Sequence, residues 1–263
     1  MPAGVEFTIW DPERNIAPVA VLEQADAVVH LAGEPVAQRW SQETKRRIRA
    51  SRVDGTLRLV EALGQCSRRP AVLVSASAVG YYGDRGGEEL AESSPPGKGF
   101  LPEVCIEWER AARSAESLGM RVSMLRLGMV LAREGGALAK MLPAFRFGLG
   151  GRLGSGEQYM AWIHLDDLVS LILWAVENDK ARGPINAVAP VPITNSDFTR
   201  ALGRALGRPA IVPVPGAAVR LLFGEMSEIL FNSQRVIPEA ARRAGFEFRH
   251  PEVFAALKDV LAS

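Results

Sequence analysis

What most constrains this chain is a repeated alternation of two patterns. Short apolar runs ending in small or turn-forming residues each give way to helical periodicity, the signature of βα units that build a parallel sheet. Residues 27–33 read as the first buried strand, and Ser41 stands where it can cap a helix whose apolar positions Ile48, Val53, Leu57, Val60 and Leu63 follow one another at helical spacing. Residues 71–77 read as the second strand, ending in hydroxyls and then Gly80-Tyr81-Tyr82-Gly83. A polar loop to Gly99 and a helix over 102–118 follow, and residues 122–131 give a third strand with its exit. A helix over 138–147, a glycine-dense loop over 148–156, a short strand over 161–165 and an apolar helix over 168–176, capped by Asp166 or Asp167, continue the pattern. Residues 195–263 change texture and read as a small, mainly helical lobe in which Pro213 and Pro215 frame a turn.

A chain of 263 residues has room for one large domain, or one domain with an appendage. Its 31 Lys+Arg and 30 Asp+Glu leave a net charge of +1, so no global field steers it to nucleic acid or to an anionic membrane. The basic run at Lys45, Arg46, Arg47, Arg49 and Arg52 lacks interleaved aromatics and reads mostly as a solvated helix face. Two cysteines, Cys66 and Cys105, exclude a disulfide scaffold and a four-cysteine zinc site, and they fit a reducing cytosol. No basic cluster precedes an apolar run at the N-terminus, and the longest strongly apolar stretch, 168–176, is half the roughly 20 residues that a membrane span needs. The reading is a soluble cytoplasmic protein with neither nucleic acid nor membrane as partner.

Several strings occur in one order: His30-Leu31-Ala32-Gly33-Glu34-Pro35, Ser51-Arg52 with Gly55-Thr56, Gly80-Tyr81-Tyr82-Gly83-Asp84, Leu142-Pro143 through Gly150-Gly151, Gly154-Ser155-Gly156 and Trp162-Ile163-His164. Together with Gln234-Arg235-Val236-Ile237-Pro238 and Ala244-Gly245-Phe246, they closely resemble the epimerase-like family of atypical short-chain dehydrogenase/reductases, related to NAD-dependent epimerase/dehydratases. The resemblance runs from about Trp10 to the end. It implies a Rossmann-type, doubly wound parallel sheet over residues 1–190 that binds NADP or NAD. It also implies the family's small C-terminal lobe over 191–263 and a small-molecule substrate, sugar-like or anionic. In that fold the cofactor's pyrophosphate rests on a helix N-terminus behind a Gly-x-Gly-x-x-Gly turn. Here the glycines before residue 55 are Gly4 and Gly33, and the loop at 148–156 does not fit the spacing, so the phosphates lack their usual cradle. Relatives carry a strand, that turn, a helix and a second strand ahead of Trp10-Asp11. The expectation is therefore an N-terminally truncated fold, about 35 residues short, which is the length of a missing βαβ start. Met1 would then not be the natural start; a natural short form without the usual cofactor binding is the alternative. The strand at 27–32 should be left with an open edge unless Val5 to Trp10 or a partner covers it.

The resemblance assigns Leu31, Ala32 and Gly33 to the adenosine side of the cofactor, Arg52 to a phosphate and Val130 to the nicotinamide half, with Ser75 beside them. Ser77 and Tyr81 are the candidate catalytic residues, for hydrogen bonding a substrate oxygen and for proton transfer, with Tyr82 the neighbouring phenol. Redox chemistry in this superfamily uses a Tyr and a Lys four residues later, because an unperturbed phenol is a poor base at neutral pH. The tyrosines are 81, 82 and 159, and four residues on stand Arg85, Gly86 and Ile163. Aligning Trp108-Glu109 with the relatives' helix puts Leu101 and Cys105 where the pair would be. Arg146, Arg152 and Gln158 flank the glycine loop as candidate substrate contacts, and His164 with Asp166 falls short of a zinc site. Two functions remain open: an NAD(P)-dependent epimerase or oxidoreductase, and a non-catalytic nucleotide-binding or regulatory protein that keeps the fold.

Overall fold

Apolar residues in the strands alternate between two burial environments, and that alternation explains how the sheet is covered on both faces. The computed structural model describes residues 4–262. In chain order the elements are α1 (Val19–Leu22), β1 (Ala27–His30), α2 (Gln42–Gln65), β2 (Val72–Ala78), β3 (Glu89–Leu90), α3 (Phe100–Arg113), β4 (Arg121–Leu127), β5 (Met129–Leu131), α4 (Gly136–Arg146) and β6 (Tyr159–Met160). They continue with β7 (Trp162–His164), α5 (Leu165–Glu177), β8 (Gly183–Ala187), β9 (Ile193–Thr194), α6 (Asn195–Leu206), α7 (Gly216–Phe223), α8 (Glu228–Phe231), β10 (Arg235–Val236), α9 (Glu239–Arg243) and α10 (Val253–Ala262). The main sheet is parallel throughout, in the order β1-β2-β4-β8.

Leu73, Val122 and Met124 point to one face and pack with Leu59, Leu63 and Ala112 of α2 and α3. Their neighbours Val72, Val74 and Leu125 point to the other and pack with Leu168, Leu171 and Ala175 of α5. Helices on both faces of a parallel sheet make this a Rossmann-type α/β fold. Ser41 caps α2 as the sequence predicts, its hydroxyl accepting the Thr44 amide at 3.1 Å. A further core gathers Leu138, Leu142 and Phe145 of α4, Phe198 and Leu202 of α6, and Leu257 and Val260 of α10 around Leu131 and Trp162. No described helix is long and apolar enough to cross a membrane.

Several boundaries differ from the sequence reading for local physical reasons. The run at 122–131 breaks into β4 and β5, because the chain leaves the main sheet at Gly128 and pairs with β7 instead. A Cβ at Gly128 would stand 2.8 Å from the Ala161 carbonyl oxygen, so only glycine fits the crossing. The helix expected over 102–118 starts earlier, at Phe100, and ends in a 3-10 turn over Ser114–Leu118 stopped by Gly119 at φ +83°. The cap of α5 is neither Asp166 nor Asp167 but His164, whose Nδ1 accepts the Asp166 amide. Asp167 instead accepts the backbone amides of Arg249 and His250 at 2.8 and 3.0 Å.

Among the described residues β1 pairs on one side only, with β2. Residues 5–10 form no strand against the other side, and Ile9 is 98% and Phe7 65% exposed. Val29, in the middle of β1, is 42% exposed, which makes this edge a template for pairing with another chain. Val29→Lys is expected to lower concentration-dependent self-association measured by sedimentation, with the unfolding temperature nearly unchanged.

Candidate functional site

Because the strands are parallel, the ends of β1, β2 and β4 open on one side, the place where ligands bind in open α/β sheets. Leu31, Ala32 and Gly33 leave β1 there and are exposed, Leu31 at 54%. Arg52, one turn along α2 from Ile48, folds back over this segment. Its Nη1 donates to the carbonyls of Glu34 (2.9 Å) and Ile48 (3.2 Å), and its guanidinium lies 5.2 Å from the Trp108 ring centre. A Cβ on Gly33 would sit 3.1 Å from that guanidinium carbon, so the glycine is what lets Arg52 lie flat. Burial holds the Arg52 pKa below its ordinary value. The arginine thus lies beside the β1 exit, with two of its hydrogen bonds directed to backbone.

Below the exits lies a buried polar network. The Ser77 hydroxyl donates to Glu109 Oε1 at 2.8 Å. Arg126 of β4 grips the same carboxylate with two bonds, 2.7 Å from Nε and 2.9 Å from Nη2. Arg126 Nη1 donates to the Tyr82 hydroxyl at 2.9 Å, and Tyr82 donates to Asn186 Oδ1 at 2.7 Å. Asn186 in turn receives its place from Glu92, which accepts the Asn186 amide, and from the Ile237 carbonyl. Burial works to lower the Arg126 pKa, but Glu109 and Tyr82 more than offset it and the net shift is upward. Burial pushes the Tyr82 phenol up to about 12. Both are held in forms that do not exchange protons near neutrality.

Ser77 is therefore 1% exposed and committed to Glu109 rather than presented to a substrate. Ser75 is fully buried, its hydroxyl turned to the Ala76 carbonyl at 3.2 Å, so it does not reach the crevice. Tyr81 is half-buried with its ring under the Arg126 guanidinium, 3.5 Å from centre to Cζ. Val130 of β5 pairs with Ile163 and packs half-buried against the core under α5. Leu101 and Cys105 do face the β2 exit from α3: a Cβ at Gly80 would meet Leu101 at 3.4 Å and Cys105 Sγ at 3.9 Å. Burial raises the Cys105 thiol to about 12. The expected proton-relay position is filled by an alkyl chain and a protonated thiol.

The other candidates have structural partners. Gln158 is buried and donates to the Leu153 and Leu230 carbonyls, which fixes the glycine loop. Arg152 is exposed and donates to Ser155 in its own loop, and Arg146 is exposed at the end of α4. Glu109 and Arg126 were not singled out by sequence reasoning. Their signal was a charge within a buried strand and a second on the buried face of α3 next to Trp108.

A profile described as the NAD dependent epimerase/dehydratase family matches residues 3–188. The chain belongs to this family. Its C-terminal part, residues 214–260, matches a domain of unknown function, DUF1731. Within the family, an epimerase family protein of Mycobacterium bovis is 44% identical over 258 residues, covering 97% of this chain and 85% of its own. The mouse (Mus musculus) epimerase family protein SDR39U1 is 39% identical over 246 residues, covering 92% of this chain and 84% of its own. The human SDR39U1 (isoform 2) structure with NADPH superposes at a TM-score of 0.87 and 35% identity, covering 95% of this chain and 89% of the other. The UDP-glucuronic acid 4-epimerase of Bacillus cereus shares the fold at a TM-score of 0.74 and 16% identity, covering 96% of this chain and 79% of the other.

The residues present fit a dinucleotide in part. The β1 exit and Arg52 offer one wall of the crevice, but among the described residues no strand of the main sheet runs through a glycine-rich turn straight into an α-helix. A phosphate cradle of that kind is not supplied by these residues.

Two stability tests follow. Glu109→Gln leaves Arg126 buried without its counter-charge and is expected to cost about 3–5 kcal/mol in denaturant unfolding, against roughly 1–3 kcal/mol for Ser77→Ala. His30, at the end of β1, is 4% exposed and bonded through Nε2 to Thr56 Oγ1 at 3.1 Å, and burial lowers its pKa from 6.5 to about 4. A lowered histidine pKa means the fold disfavours the cation, so stability is full above 6.5 and is lost as pH falls toward 4. The His30→Asn variant should lose on the order of 3 kcal/mol less than the parent over that range in urea titrations.

Proposed function

We propose that this chain is a NADP(H)-binding member of its family that works without a phenol–ammonium relay, so that nucleotide binding, rather than Tyr/Lys-type hydroxyl redox chemistry, is its central activity. The observation carrying this reading is the face of α3 turned to the β2 exit, where Leu101 and buried Cys105 stand in place of proton-transfer groups. The NADPH held by the human relative at 35% identity supports the choice of nucleotide. A bound NADP(H) would supply a hydride donor or acceptor, and Leu31, Ala32, Gly33 and Arg52 at the β1 exit would hold its adenosine side and a phosphate.

A second reading, an epimerase or oxidoreductase acting on a small hydroxyl- or carbonyl-bearing substrate, is favoured by one feature. Tyr81 is the half-buried phenol in the turn after β2, with the Arg126 guanidinium stacked over its ring.

NADPH fluorescence titration separates these readings. The chain should give a saturable signal that Arg52→Gln weakens about tenfold, equivalent to ~1.4 kcal/mol, and that Tyr81→Phe leaves unchanged. Absence of a saturable signal, or an Arg52→Gln curve superposed on the parent, sinks the binding proposal. NADPH oxidation with a carbonyl substrate that Tyr81→Phe abolishes would put the second reading first.

A further inference from the structure

At the ends of β5 and β7, side-chain atoms of His164, Asp166, His250 and Asp259 lie within 4.8 Å of one another. The cluster borders a cavity of about 300 Å³, also lined by Leu131, Arg133 and Glu134. Its composition suggests a divalent metal, but the position of one proton argues otherwise. His164 Nδ1 accepts the Asp166 amide at 3.1 Å as the cap of α5, so the neutral ring carries its hydrogen on Nε2. That Nε2 faces Asp259 Oδ2 at 3.3 Å. A metal at Nε2 needs a lone pair there, which would move the hydrogen to Nδ1, against the Asp166 N–H, and uncap the helix. The atom that a metal would use already carries a hydrogen.

The group this geometry accommodates or rejects is a second proton. We propose that His164 is a pH-sensitive latch that holds the C-terminal segment, residues 249–262, against the start of α5, and that protonation of its Nδ1 opens it. In the closed form three contacts meet at the N-terminus of α5. His164 caps the helix, the His250 ring stacks on His164 with centroids 3.8 Å apart, and Asp167 accepts the amides of residues 249 and 250. A proton on Nδ1 removes the cap acceptor, sets two N–H groups against each other and places a cation in contact with the His250 ring.

The surrounding charges pull in both directions. Asp166 and Asp167 on α5 and Asp259 on α10 favour the imidazolium. Burial, with the His164 side chain 4% exposed, and His250 on the incoming segment oppose it and prevail, so the His164 pKa lies below its ordinary value. From the β5–α4 connection, Arg133 and Glu134 line the same cavity with opposite signs. The closed form is therefore the form of higher pH. Opening releases α10, whose Ala256, Leu257 and Val260 are buried against Leu131, Trp162, Phe198 and Leu202.

Amide hydrogen exchange between pH 7.5 and 5.5, corrected for intrinsic rates, tests the latch. Amides of α10 and of the first turn of α5 should exchange about tenfold faster at the lower pH, the effect of one pKa unit, while β2 and β4 stay protected. His164→Asn keeps a cap acceptor without a titrating group and should hold α10 equally protected at both values. His250→Phe keeps a stacked ring but removes the His250 contribution that opposes the His164 imidazolium, so it should shrink the difference in α10 exchange between the two pH values, which keeps the latch testable where His164→Asn does not fold. Equal protection of wild-type α10 at both pH values overturns the proposal, as does pH-dependent exchange that survives in His164→Asn. Zinc that raises the unfolding temperature of wild type but not of His164→Asn overturns it as well, because coordination and the capping tautomer exclude each other.

Discussion

The strand-exit side of this molecule depends on one buried ion pair. Arg126 and Glu109 are 2% and 6% exposed, on a central strand and on the helix packed across it. Removing two charges from water is costly, and such a pair is tolerated where the geometry is bidentate and the remaining donors and acceptors are filled. Ser77 from β2, Tyr82 from the turn after it and Asn186 from β8 fill them. One carboxylate and one guanidinium thereby tie together three adjacent strands and α3 at the depth where the crevice begins. The Ser77 hydroxyl and the Tyr82 phenol are thereby part of the floor.

Much of this architecture was legible in sequence, and the exceptions share a cause. Runs at 27–33, 71–77 and 122–131 announced β1, β2 and β4 because buried parallel strands must be apolar on both faces. Ser41 announced the start of α2 because its cap is a local interaction three residues long. His164 did not announce the start of α5. Two aspartates follow it and are better caps by residue type, and Asp167 is diverted by amides 82 and 83 positions away. Ser77 likewise looked free for substrate because its partner Glu109 is 32 residues distant. Local patterns were readable; roles set by long-range partners were not.

At the site itself, Leu31, Ala32, Gly33 and Arg52 lie at the β1 exit, whereas Ser75, Ser77 and Val130 are held by packing and internal hydrogen bonds. Leu101 and Cys105 carry the opposite lesson. Their residue types looked like an absence of function in sequence, and in space they form a dry wall facing Gly80.

Gly128 joins the main sheet to the core under α4, α6 and α10. There the chain crosses so close to Ala161 that the two layers meet backbone to backbone. No side chain mediates this joint, so substitution cannot loosen or stiffen it by degrees. Any change at Gly128 acts on the whole seam at once. The side chains on either flank, Leu127 of β4, Met129 of β5 and Trp162 of β7, set what each layer holds, while the crossing itself is set by backbone alone.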